Sequence, residues 1–279
     1  MVDPVSTWFQ TPAFATRFIK PKTLDELKAI DLESMPYFCI GAGSNTLIRD
    51  GGFEGTIIKL VGNFTKITIE ENEMTIGAGC LNRMAVHRAL EHHLSGLEFL
   101  IGIPGTIGGA VAMNAGALSR ETKDLLIRCE AMMPDKTIIT LENLEMHYRH
   151  TKLPQGAIIL NATFKLTRKS PFEIESIIHH YLEHRHDTQP IKGRTGGSTF
   201  KNPSHEQRAW QCIEAVGLRG YRVGDAEFSQ KHCNFIMNIG NATAEDIESL
   251  GELARVRVKD LLGIDLEWEI KRIGNPKKC

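Results

Sequence analysis

The chain lacks an excess of charge: 33 lysines and arginines face 34 aspartates and glutamates in 279 residues. A polyanionic partner requires a basic surplus, so neither nucleic acid nor an anionic membrane surface is expected. Cysteine pairing signals are also missing. Cys39, Cys80, Cys129, Cys212, Cys233 and Cys279 include no C-x-x-C pair and no zinc-like spacing. With no secretory leader in view, they read as reduced packing thiols of a cytoplasmic protein. The one long apolar run, Leu97 to Ala117, carries a single charge, Glu98, but Gly102, Pro104, Gly105, Gly108 and Gly109 interrupt it. In lipid those breaks would leave backbone groups unbonded, which excludes a span. No H-E-x-x-H is present, and His179, His180, His184 and His186 read as a solvated helix face, so no metal is expected. Repeats and low-complexity tracts are absent.

What remains is an ordinary globular composition, 42% hydrophobic and 24% charged, of a length suited to two modest domains. Short strands are expected at 37–41, 56–60, 66–69 and 74–77, then a helix over 81–94. Strands follow at 125–132, 137–141 and 157–166. Ser170-Pro171-Phe172-Glu173 is a helix start with its cap, and that helix is predicted to reach about residue 187. Beyond it the pattern predicts a helix over 206–216, a strand over 233–238, a helix from Thr243 to Leu262 stopped by Gly263, and a strand over 265–273. The expected organisation is a first domain over 1–185, split near residue 80, and a second over 186–279.

Two glycine clusters stand out in the first domain. Gly41-Ala-Gly43-Ser44-Asn45-Thr46-Leu47 follows a strand, but the dinucleotide fingerprint requires glycine where Thr46 stands. Gly102-Ile103-Pro104-Gly105-Thr106-Ile-Gly108-Gly109-Ala110 also fails that spacing, and no G-K-[ST] is present, so Rossmann and P-loop readings are weak. Glycine-rich backbone can still present successive N–H groups to a phosphate. A phosphate-bearing ligand is therefore expected. The second domain opens on Gly196-Gly197-Ser198-Thr-Phe-Lys201-Asn202-Pro203, whose serine is not in a nucleophile elbow because Phe200 stands where glycine is needed.

The ordered blocks GAGSN (41–45), GLEFLIGIPGTIGGAVAMNAGA (96–117), YRHT (148–151), GGSTFKNP (196–203), KHCNFIMN (231–238), ATAEDI (242–247) and LEWEIKRIG (266–274) closely resemble the UDP-N-acetylenolpyruvoylglucosamine reductases of bacterial cell-wall synthesis. The resemblance runs from about Trp8 to Gly274. It implies an α+β fold: an FAD-binding domain of the vanillyl-alcohol-oxidase (PCMH) type in two α+β subdomains, plus a C-terminal α+β substrate-binding domain. It implies FAD and NADPH as cofactors and a nucleotide-sugar substrate, with a monomer assumed. Its FAD contacts fall on the two glycine clusters together with Asn114 and Gly116.

The resemblance also assigns roles at the reacting centre. Ser198 becomes a proton donor, while Arg149 and Glu269 hold the substrate carboxylate. Glu267 and Glu269 point the same way on the strand pattern; the family's second glutamate selects Glu269, for which a raised pKa is expected. Lys201, Asn202, His232 and Asn234 map to substrate-binding positions, and Arg194 to the flavin's neighbourhood. Thr11-Pro-Ala-Phe-Ala15 departs from the paired glycines of many relatives, and the missing tyrosine-bearing insertion places the chain with the smaller, type II form. The glycine clusters alone suit another oxidoreductase on the same FAD scaffold equally well; GGSTFKNP and LEWEI favour the reductase.

Overall fold

The computed structural model describes residues 2–204 and 206–277. It divides into two compact units, residues 19–42 with 57–185, and residues 1–18 with 43–56 and 186–279. A break thus falls between Arg185 and His186. The second unit also takes in residues 1–18 and 43–56, which the sequence suggested as part of a first domain over 1–185 split near residue 80. Pairing explains this: Thr46–Ile48 lies parallel to Lys271–Ile273, joining stretches 225 residues apart, as Thr46 and Lys271 are partners.

The unit containing 57–185 is built on a five-stranded antiparallel sheet. Its order is Ile138–Glu142, Leu126–Met132, Ile158–Lys165, Glu73–Gly77, Ile67–Glu70. The central strand Ile158–Lys165, paired on both sides, is buried along most of its length, with Asn161 half-buried and Lys165 exposed. Helices Asn82–Glu91 and Ile107–Ala112 contribute Ala85, Val86, Ala89, Ile107, Ala110 and Val111 to the same core. Gly77 lets two backbones meet, since a Cβ there would lie 2.1 Å from the Phe64 carbonyl oxygen. Helix Pro171–Thr188 starts as expected: Ser170 N donates to Glu173 Oε2 at 3.0 Å and Glu173 N to Ser170 Oγ at 3.3 Å. It buries Ile174 and Ile178 and leaves His179, His180, His184 and His186 exposed.

The other unit carries a four-stranded antiparallel sheet, Arg194–Ser198, Phe235–Asn238, Ala226–Phe228, Arg222–Val223. Helix Ala244–Leu262 packs on it through Ile247, Leu250, Ala254 and Val258. This helix is tied at both ends. Thr243 Oγ1 accepts from Asp246 N at 3.0 Å, Asp50 accepts from Ala244 N and Glu245 N, and Gly263 ends it in the left-handed conformation at φ 71°. Acceptors at the positive end and left-handed glycine at the other are what a helix of this length needs.

Several expectations change. The strand predicted over 265–273 reduces to Lys271–Ile273 plus a single bridge between Trp268 and Phe200. Residues 206–208 precede a shorter helix, Ala209–Ala215. Phe14–Ile19 is a strand, and the Phe14 ring occupies the space of a Cβ on Gly52, 2.2 Å away. Cys80, Cys129, Cys212 and Cys233 are buried and unoxidised, Cys39 is exposed and unoxidised, and Cys279 lies outside the described residues. Among the described residues no helix is long and apolar enough to cross a membrane, and no cluster of ligating side chains could hold a metal.

Candidate active site

Ser198 ends the strand Arg194–Ser198, opposite Phe235, and the register shifts between Thr195 and Ser198. The two glycines make that shift. Gly196 lies against Phe9, whose ring carbon a Cβ would approach to 2.5 Å, and Gly197 takes φ +83°. A left-handed glycine at a bulge re-aims the next side chain. Ser198 is thereby left half-buried at the strand end.

Glu269 is placed from the opposite direction. Its backbone N donates to Thr199 O at 2.8 Å, and Asn45 Nδ2 donates to its carbonyl oxygen at 3.2 Å. Lys201 N donates to Glu267 O, and Lys271 N to Asn45 O. Ser198 and Glu269 therefore lie on adjoining backbone runs. The anchor between them is Trp268. Its ring packs 5.0 Å from the Phe200 ring, its indole N–H donates to Glu252 Oε1 at 2.8 Å, and the Arg272 guanidinium stands 4.2 Å from the ring centre. Gly251 provides the room, since a Cβ there would lie 2.2 Å from the indole.

This segment is not a strand before Lys271, so the alternation expected to align Glu267 with Glu269 does not apply. Glu267 is 73% exposed and holds Lys201 Nζ at 2.6 Å, while Glu269 is half-buried. Asn234, 3% exposed, spends its amide on the Phe200 backbone: Nδ2 donates to the carbonyl at 2.8 Å and Oδ1 accepts from the N–H at 3.0 Å. Asn202 Oδ1 accepts from Ala209 N at 3.1 Å, at the start of a helix. His232 meets the rings of Phe235 and Trp210 edge-on, and its Nδ1 accepts from Asn234 N at 3.3 Å. Burial pushes its pKa below the usual value, and Arg219 adds to the effect, so its neutral form prevails. Arg194 pairs with Asn238 across the sheet.

In the other unit, Arg149 occupies the two-residue turn of a hairpin formed by Met146–His147 and His150–Thr151. Its φ is +55°, a conformation few arginines adopt. Nη2 donates to Gly116 O at 3.0 Å, and Cζ stands 5.0 Å from the centre of the Tyr148 ring.

The second glycine cluster lies in this unit as well. Residues 102–105 are half-exposed between buried Ile101 and buried Thr106. A Cβ on Gly41 would lie 2.5 Å from Thr106 Oγ1, and one on Gly108 2.9 Å from Ala78 Cβ. Thr106 caps the helix Ile107–Ala112. Asn114 is fully buried, with its amide engaged by protein groups, and Gly116 pairs with Glu121 in a short hairpin. In the first cluster, Gly43 O accepts from Trp8 N, while Thr46 and Leu47 run into a buried strand with Leu47 in the core.

A residue the sequence did not single out joins the second cluster. Arg185 lies over Gly102, its Cδ 3.2 Å from where a Cβ would stand, and its Nε is buried with no hydrogen-bond partner. Burial pushes its pKa down, as expected for a guanidinium withdrawn from water. Close-packed glycine backbone beside a buried donor of this kind fits an anionic cofactor such as FAD. The only sequence sign was an arginine among the histidines of an amphipathic helix.

Comparison with known proteins accounts for both halves. Residues 15–142 match an FAD binding domain, and residues 189–273 match the C-terminal domain of UDP-N-acetylenolpyruvoylglucosamine reductase. The UDP-N-acetylenolpyruvoylglucosamine reductase of Rickettsia massiliae is 45% identical over 273 residues, covering 96% of this chain and 92% of its own. That of Rickettsia bellii is 45% identical over 274 residues, covering 96% and 90%. The crystal structure of UDP-N-acetylenolpyruvylglucosamine reductase (MurB) from Thermus caldophilus superposes with a TM-score of 0.85 at 34% identity, over 98% of this chain and 99% of that one. A likeness this extended, in sequence and in fold together, means that the chain belongs to the UDP-N-acetylenolpyruvoylglucosamine reductase family of FAD-dependent oxidoreductases.

Proposed function

We propose that the protein reduces the enolpyruvyl ether of UDP-N-acetylglucosamine to the lactyl ether of UDP-N-acetylmuramate, in the cytoplasm and with NADPH as reductant. The observation that carries this reading is the adjoining placement of Ser198 and Glu269 on a frame made by Thr199, Asn45 and Trp268. The reaction is demanding because hydride addition to an alkene conjugated with a carboxylate places more negative charge on an anionic group. FAD, when bound, would supply the hydride chemistry, with NADPH as the source of reducing equivalents.

The chain's residues supply the rest. Arg185 and the backbone of residues 102–109 hold the cofactor's anionic part. The planar fork of Arg149 grips the substrate carboxylate, and Glu269 shares a proton with it, which eases the charge that develops there. The enediolate-like species left by hydride addition is a strong carbon base, so the Ser198 hydroxyl can protonate its other carbon. The C–H bond forms as the O–H bond breaks, and solvent then returns the proton to the serine oxygen. Lys201, held by Glu267, lies three residues on and supplies positive charge to the same strand end. Asn202, Asn234 and His232 shape this end through the backbone bonds described above.

Anaerobic stopped-flow absorbance of the FAD-loaded protein tests the proposal. NADPH should bleach the flavin, and the enolpyruvyl nucleotide should restore its colour with one equivalent of UDP-N-acetylmuramate formed. A protein whose reduced flavin is reoxidised by oxygen but not by that nucleotide would refute it.

A further inference from the structure

Asn114 lies in a cofactor-rich stretch of sequence, yet its side chain is fully buried and sits in a left-handed residue at φ +41°. Its Nδ2 donates to His147 O at 2.9 Å and to Glu121 Oε2 at 3.1 Å, and its Oδ1 accepts from Lys123 N at 3.0 Å. Glu121 is itself held by Lys123 Nζ at 2.8 Å. These bonds leave the amide spent within the protein. Their target is informative, because His147 is the last strand residue before the Tyr148-Arg149 turn.

The turn is held on its other side too. Thr151, 4% exposed, donates its hydroxyl to Val111 O at 2.5 Å. The guanidinium of Arg149 rests on the carbonyl of Gly116, in the hairpin partner of Glu121. Gly116 has no room for a side chain, since a Cβ would lie 2.4 Å from Arg120 O. A turn that needed only to close would favour glycine or asparagine at φ +55°. This one holds an arginine there and ties both strands of its base to 111–121.

We infer that Asn114 is a positioning residue: its amide, braced by Glu121, fixes the His147 end of the hairpin and so sets the direction of the Arg149 guanidinium toward the substrate carboxylate. The inference rests on the carboxylate-gripping role proposed for Arg149. It separates Asn114 from residues that hold the cofactor, because loss of its amide should disturb the substrate step and leave the flavin's own chemistry alone.

The test uses FAD-loaded full-length Asn114→Ala, Arg149→Ala and the double variant, with the two half-reactions followed separately. Asn114→Ala should slow reoxidation by the enolpyruvyl nucleotide about 10- to 100-fold, the range for losing hydrogen bonds to a buried carbonyl, and leave reduction by NADPH within about twofold. In the Arg149→Ala background it should add nothing, since the group it aims is gone. Amide hydrogen exchange should quicken over 146–151 and not across the five-stranded sheet. Should Asn114→Ala fail to fold, Glu121→Ala, which removes the brace at the partly exposed end, should give a smaller loss in the same half-reaction alone. Equal slowing of both half-reactions, losses that multiply in the double variant, or unchanged exchange over 146–151 would overturn the inference. Normal reoxidation of Arg149→Ala would instead overturn the role of Arg149 itself and remove the inference with it.

Discussion

Ser198 and Arg149 are held in opposite ways. The serine stands on a backbone frame: Thr199 bonds Glu269 and Asn234 through main-chain atoms, Gly196 and Gly197 shape the bulge, and Trp268 locks the facing segment. The arginine stands on a turn whose base is gripped by the side chains of Asn114 and Thr151. A proton donor must meet one carbon at hydrogen-bonding range, and a main-chain frame fixes such a position with few torsions left to order. A guanidinium with two donor edges can be aimed through a longer chain of side-chain contacts. Substitutions around the serine should therefore cost stability as well as rate, whereas those around the arginine should act on one half-reaction.

The comparison breaks most readily at Glu269. Glu269→Gln should keep the fold and slow reoxidation by substrate by about 10²- to 10³-fold, the scale of a lost acid or base group. A rate within threefold of wild type, roughly the noise of a surface change, would remove the carboxyl from the mechanism. Next in size is Gly251→Leu, which drives a side chain into the space of the Trp268 indole. Overpacking of this kind costs about 1–3 kcal/mol. Because Trp268 sets the Glu269 segment, reoxidation should fall at least about tenfold while reduction by NADPH persists. Urea melts paired with stopped-flow would show whether the two losses travel together.

Asn234→Ala sharpens the contrast further. It leaves the buried N–H and C=O of Phe200 without their partners, at about 1–3 kcal/mol for each group left unsatisfied. Stability should drop more than rate, and an unchanged unfolding midpoint would show that the ladder does not depend on this amide. The smallest effect concerns His232. Its pKa is depressed from 6.5 in the folded protein, so the unfolded chain takes up the proton first as pH falls. Its contribution is present above 6.5, is lost as pH drops through the window between 6.5 and the folded value, and is gone below it. His232→Asn should flatten that decline in a denaturation series; an identical pH profile would count against it.

Local signals were legible in the sequence. The Ser170–Glu173 cap and the Gly263 stop mark helix ends through groups that act within one turn. The strand at 158–165 was visible, as 157–166, in its β-branched content and length. Long-range pairing was not: nothing near Thr46 announces a partner at Lys271, and alternation at 265–270 resembles a strand that the Phe200–Trp268 bridge replaces. In the candidate site the motif blocks single out Ser198, Glu269 and Arg149 as candidates, but say nothing of what supports them. Asn234 and Asn114 have the composition of ligand contacts and the geometry of braces, since an amide bonded to main chain looks the same in sequence as one bonded to a ligand. Burial of the Arg185 guanidinium in a polar helix leaves no periodic trace in the sequence.

The account's central claim is that the Ser198 hydroxyl delivers a proton to carbon after hydride has arrived. Anaerobic stopped-flow of Ser198→Ala, observed in each half-reaction, tests it most directly. Reduction of the flavin by NADPH should proceed within about twofold of wild type while reoxidation by the enolpyruvyl nucleotide slows about 10²- to 10⁴-fold, the contribution of a positioned general acid. Reoxidation at the wild-type rate, or equal slowing of both steps, would contradict it.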